Sequence, residues 1–193
     1  MEQFTRKTKV RSETRKSRVS NGISASGEPS VASRSTPVEA INAAVTELRW
    51  QNFREVFLST PMARIELIRN RVAAADFKRF ATELASQERV CHMLAIATAS
   101  VNRKASRDET LTLDESARII GLAKIIGQVE AMVAESGDPS EAAGFNARKW
   151  LMSWLGQPIA ALGGKRPAGF MDTIEGQQMI SKLIAMMQSG AYA

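Results

Sequence analysis

The sequence predicts an all-α protein on three observations. From Pro37 onward, apolar residues recur at intervals of three and four, the period that puts them on one face of a helix. The periodic runs open on Ser, Thr or Asp, and two carry Pro in the first turn, as helix starts do. No stretch sustains the alternation of Val, Ile and Thr that a strand requires.

Thr36 and Pro37 form a cap and first-turn pair, and Ile41, Val45, Leu48 and Phe53 follow at helical spacing, giving a first helix to about Leu58. Ser59 or Thr60 caps a second, with Pro61 in its first turn and Ile65, Ile68 and Val72 on one face. "DFKRFATELASQERVCHMLAIA" reads as two short helices broken near Ser86, with Phe77, Phe80, Leu84, Val90, Met93 and Leu94 turned to apolar faces. Thr112 or Asp114 caps a long helix that has Glu115 in its first turn. Its stripe of Ile119, Leu122, Ile126, Val129 and Val133 is core or dimer seam, and "SGDP" ends it. "FNARKWLMSWL" gives a further helix, and "TIEGQQMISKLIAMMQSG" the last, with Met179, Leu183 and Met186 on one face and Gly190 past its end.

The chain has 193 residues, of which 44% are apolar, enough to bury a core. Its net charge of +6 is unevenly placed. Residues 1–36 hold eight Lys and Arg against three Glu and almost no large apolar side chains, the composition of a disordered basic arm. Such an arm either attracts nucleic acid phosphates or serves as a solubilising tail. Cys91 and His92 are the only residues of their kinds, which rules out an internal disulfide and a Cys/His metal cluster. No metal or cofactor is expected. A reducing cytoplasm fits this cysteine usage, and no apolar run is long enough for a signal or a span. The Arg and Ser of the arm superficially suit a transit peptide, against which Glu2 and Glu13 count.

Catalysis needs paired carboxylates, a nucleophile with its base, or a phosphate-cradling loop, and none is visible. Cys91 and His92 are adjacent in a helical pattern, so their side chains diverge, and packing accounts for both. "GLAKIIG" and "LGGKRPAG" lack the strand context of a nucleotide-binding loop. The sequence therefore argues against an enzyme.

Residues 94–116, "LAIATASVNRKASRDETLTLDES", carry more information. One short helix ends near Ala95, Ile96 anchors a turn, and Thr98 or Ala99 opens a second helix bearing Ser100, Asn102, Arg103, Lys104 and Arg107, with Val101 inward. That is the layout of a helix-turn-helix, whose second helix offers polar and basic side chains to a DNA groove. A solvated basic face on an ordinary helix hairpin is the alternative. Further on, "ALGGKRPAGFMDTIEG" predicts a bend at Gly163 and Gly164 that displays Lys165 and Arg166, then a helix starting at Thr173. Both cations are either solvated or placed to pair with acidic groups. Trp150 and Trp154 lie one turn apart as core anchors, and only a partly exposed Trp154 would serve an interface.

From about Ile65 onward the chain resembles the Xre/MbcA/ParS antitoxins of bacterial toxin–antitoxin operons. The resemblance rests on "IATASVNRK" with "LTLDESARII", and more specifically on "WLGQPIAALGGKRP", "TIEG" and "GAYA". Trp154, Leu155, Pro158, Leu162, Gly163, Gly164, Pro167, Thr173, Gly176, Leu183 and Gly190 fall on the family's defining positions, whereas Ala97, Ala99, Ala168 and Gly169 depart from its pattern. Composition and periodicity set off a basic arm over 1–36 and a helical extension over 37–64, which the resemblance leaves unexplained, and the resemblance implies a helix-turn-helix domain over 65–136 and a toxin-binding domain over 140–193. It further implies a cytoplasmic, dimeric repressor of its own operon that contacts DNA through Ser100, Asn102, Arg103, Lys104 and Arg107. The partner it implies is a RES-domain toxin that degrades NAD or transfers ADP-ribose. Trp154, Lys165, Arg166, Gly190 and Tyr192 are the residues expected to meet that toxin and close its active site. A stand-alone helix-turn-helix regulator and a protein-binding adaptor are the competing readings.

Overall fold

The computed structural model of the chain describes residues 48–135 and 144–188. Among them are eight α-helices: α1 (Phe53–Leu58), α2 (Pro61–Arg69), α3 (Ala74–Leu84), α4 (Gln87–Met93), α5 (Thr98–Ala105), α6 (Leu113–Glu135), α7 (Ala147–Leu155) and α8 (Ile174–Gln188). Two 3₁₀ turns, Ala160–Leu162 and Pro167–Phe170, join α7 to α8. No strand occurs among the described residues, only an isolated bridge between Ala73 and Thr110. No helix among them is long and apolar enough to cross a membrane. The arm over 1–36 and the expected start of the first helix lie outside the described residues.

The spine is α6. Ile119, Ile120, Leu122, Ala123, Ile125, Ile126 and Val129 are buried on several of its faces, as expected of a helix that packs on more than one side. Helices α1, α2, α7 and α8 all contact it. Gly127 allows α1 to approach, because a Cβ there would lie 1.8 Å from the Phe53 carbonyl oxygen. The glycines of "GLAKIIG" thus sit in a tightly packed helix, consistent with the absence of a nucleotide loop. Two long-range polar links join α6 to α8. Gln128 donates to the Ser181 carbonyl at 2.9 Å while the Ser181 hydroxyl donates back to Gln128 Oε1 at 2.6 Å. Gln177, itself buried, donates to the carbonyls of Arg118 at 3.0 Å and Met171 at 2.9 Å.

Three sequence expectations shift. The first helix does not run unbroken to Leu58. Residues 48–52 are non-helical and α1 begins at Phe53, because Trp50 and Phe53 both turn onto the Phe80 ring, with centroids 5.2 and 5.5 Å away. Ile65, assigned to the apolar face of α2, is exposed; Ala63 is that helix's buried residue, and Leu67 and Ile68 are partly covered. In α8 the buried stripe is Gln177, Ile180, Leu183 and Ile184, while Met186 is exposed and Met179 half-buried. Counting only apolar residues rotated that stripe, since one of its buried members is a glutamine satisfied by backbone carbonyls.

Candidate functional site

Helices α4 and α5 meet through a tight turn. Ser86 caps α4, its hydroxyl accepting from the Arg89 amide at 3.2 Å. The helix then closes with Ala95 in the left-handed region, φ 49. The Ile96 amide donates to the Cys91 carbonyl at 2.8 Å and the Ala95 amide to the His92 carbonyl at 3.1 Å, the paired closure usually built around glycine. Alanine there costs about 1–2 kcal/mol. Support comes from a distant helix. Arg118 of α6 donates to the Leu94 carbonyl at 2.7 Å and the Ala95 carbonyl at 3.0 Å, and the Asp114 carboxylate holds its guanidinium at 2.7 Å. Ile96 and Val101 are buried beneath the turn and α5, in the places the sequence reading gave them.

The far end of α5 is fixed by charge. Lys104 and Glu115 form a 2.8 Å ion pair in which each side chain is only 14% exposed. Glu115 also accepts from the Thr112 amide at 2.8 Å, and the Thr112 hydroxyl accepts from the Glu115 amide at 3.2 Å, a reciprocal cap on α6. Burial alone raises the Glu115 carboxyl, but the hydrogen bonds from Lys104 and Thr112 outweigh it and hold the group below its ordinary value. One carboxylate therefore starts α6 and docks α5 upon it. Cys91 is fully buried, and desolvation pushes its thiol up despite a hydrogen bond with Thr98; His92 is exposed. Their side chains part as helical neighbours must.

Asn102 and Arg103 are exposed on α5, and Ser100 is partly so. The side chain of Gln87, at the start of α4, donates to Asn102 Oδ1 at 3.2 Å and ties the outer surfaces of the two helices together. Lys104 points into its ion pair rather than outward. Arg107 lies beyond α5 rather than on it: the helix ends at Ala105, and Asp108 at φ 53 reverses the chain, leaving Arg107 exposed and 3.9 Å from Glu109.

The glycine corner bends as the sequence predicts. Gly163 and Gly164 have φ of 61 and 77, and Gly163 closes the first 3₁₀ turn through its own neighbours, the Gly164 amide donating to the Ile159 carbonyl at 3.0 Å. Lys165 and Arg166 are exposed, with no carboxylate in ion-pair range among the described residues. Thr173 caps α8, its hydroxyl accepting from the Gly176 amide at 3.1 Å. Trp150 and Trp154 stack at 6.1 Å, and both are only partly buried. Gly190 and Tyr192 lie outside the described residues.

The corner does not stand apart from the helix-turn-helix. Its second 3₁₀ turn packs on α4 and α7, so Arg166 shares a hollow with Arg89, His92 and Met152. The sequence reading missed Arg118 and Gln177. For Arg118 a local signal exists, an Asp four residues earlier; its bonds to a turn more than twenty residues back have none.

Residues 63–124 match the antitoxin Xre-like helix-turn-helix domain, and residues 142–190 match the antitoxin Xre/MbcA/ParS C-terminal toxin-binding domain. The Prs ADP-ribosylating antitoxin of Sphingobium sp. (strain YBL2) is 44% identical to this chain over 142 residues, which cover 73% of the chain and 87% of that relative.

Proposed function

Since this chain belongs to the Xre/MbcA/ParS antitoxins of toxin–antitoxin systems, we propose that its toxin partner carries a RES domain and that the antitoxin neutralises it by covering its active site. The wording of the relative's name, ADP-ribosylating, favours ADP-ribose transfer over simple NAD degradation as that toxin's reaction. Trp154, Lys165 and Arg166, with Gly190 and Tyr192, form the toxin-facing set, in which the unpaired cations of the corner meet acidic groups of the toxin. The helix-turn-helix gives the second half of the function, repression of the antitoxin's own operon as a cytoplasmic dimer. Ser100, Asn102, Arg103 and Arg107 contact DNA, while Lys104, engaged by Glu115, holds α5 at its angle. The carrying observation is that one chain joins a rigidly braced helix-turn-helix to a toxin-binding domain through the single helix α6.

The test is co-expression with the product of the adjacent gene, followed by an assay of the purified complex and the freed partner for NAD consumption and ADP-ribose transfer. An inactive complex that yields an active, NAD-consuming partner is the expected result. A neighbour that fails to co-purify, or that is inert when freed, removes the RES assignment. Failure to bind the promoter at low salt removes the autoregulatory half.

A further inference from the structure

Three surface hollows run together across the molecule. The first lies between α3 and α5 and is lined by Lys78, Arg79, Glu83 and Asn102. The second shares Glu83 with it and adds Arg89, Arg148, Lys149 and Gly156. The third shares Arg89 and Gly156 with the second and reaches Arg166. The contacts between them are direct. Gln87 bonds to Asn102 on the outer face of α5, Arg89 follows two residues later on α4, and Arg89 Nη2 lies 3.2 Å from where a Cβ on Gly156, at the end of α7, would sit.

Glu83 is the single carboxylate lining this strip. Two of its cations are committed elsewhere, Arg79 to Asp76 at 2.6 Å and Arg148 over the Phe53 ring at 4.7 Å. Arg89 and Lys149 are exposed and have no carboxylate partner among the described residues. Two such cations near a recognition helix suit a DNA backbone, because in a helix-turn-helix the first helix crosses the phosphates flanking the bases that the second helix reads.

We propose that Arg89 of α4 and Lys149 of α7 grip phosphates flanking the site read by α5, so that the C-terminal domain is a second, sequence-independent DNA contact as well as a toxin-binding module. The inference rests on the DNA-binding reading above and extends the footprint beyond the helix-turn-helix. Phosphate contacts set affinity and salt dependence without choosing sequence.

The experiment compares the full chain with its R89Q/K149Q double variant on a duplex of its own promoter and on an unrelated duplex, across a salt series. The double variant should bind both duplexes more weakly by similar factors, with the slope of log affinity against log salt smaller by roughly 2 for each bound protomer and so by roughly 4 for a dimer, since each lost phosphate contact removes about 0.9. R89K should restore its share, because the contact needs charge rather than shape. An unchanged slope overturns the proposal, as does an unchanged slope with lost capture of the toxin, which would place these cations on the toxin instead. Absence of promoter binding by the unmutated chain would overturn the DNA reading itself, an outcome distinct from a failed slope change.

Discussion

Two turns in this molecule close by the same pattern of backbone hydrogen bonds, one at Ala95 and one at Gly163. In each, a left-handed residue reverses the chain while successive amides reach back to carbonyls of the preceding helix. At Gly163 the residue type suffices, since glycine enters that region without penalty, and every bond is local. At Ala95 the residue opposes the conformation, and Arg118 on α6 secures it by binding two carbonyls of the turn. A turn held from a distance keeps α4 and α5 in fixed relation, as the DNA contact proposed for them would require. A turn closed by its own residues leaves Lys165 and Arg166 free to meet a partner.

Replacing Arg118 with Met should break the difference most. The part-buried carbonyl of Leu94 and the exposed carbonyl of Ala95 lose a charged donor, at a cost of about 1.5 kcal/mol, measured by urea denaturation, and promoter affinity should fall by at least tenfold. Substituting Lys165 and Arg166 with Met should change stability by under about 0.5 kcal/mol and weaken toxin capture alone. Equal stability losses in the two regions would show that the corner is braced in some other way.

Glu115→Gln sharpens the comparison at the other end of α5. Loss of the ion pair and part of the cap should cost about 1–2 kcal/mol near neutral pH. Because the folded state lowers the carboxyl's pKa, its contribution is complete above the ordinary glutamate value of 4.5 and is lost as pH falls through and below it. Stability curves of variant and parent should therefore converge in acid. A gap that stays constant down the pH scale would contradict the role given to this charge.

The smallest effects are the most pointed. Gly163→Ala should destabilise by about 1 kcal/mol, whereas Ala95→Gly should stabilise by about 0.5 kcal/mol, a relief of strain partly offset by the freer unfolded chain. Opposite signs at matching geometry, read from thermal unfolding of both variants, are the expected result. Changes of the same sign would mean that Arg118 has removed the strain at Ala95 altogether.

By itself the sequence determined what local chemistry determines. Periodicity and caps placed the helices from α2 onward, Thr112 or Asp114 marked the start of α6, and paired glycines announced the corner. The inward Val101 and the outward Asn102 and Arg103 of α5 were legible from helical spacing, which does not choose between a DNA contact and a solvated face. Tertiary structure decided the rest. It drew Lys104 out of the exposed set, ended α5 before Arg107, rotated the buried stripe of α8 around Gln177, and seated the corner on α4. Lys104 meets a carboxylate eleven residues on and α5 ends in a local turn, whereas the stripe of α8 and the seat of the corner depend on partners brought together across long spans of chain, and polar groups choose such partners by geometry. Hydrophobic burial follows a period that can be counted along a sequence; the pairing of Arg118 with the turn at Ala95 exists only once the helices have met.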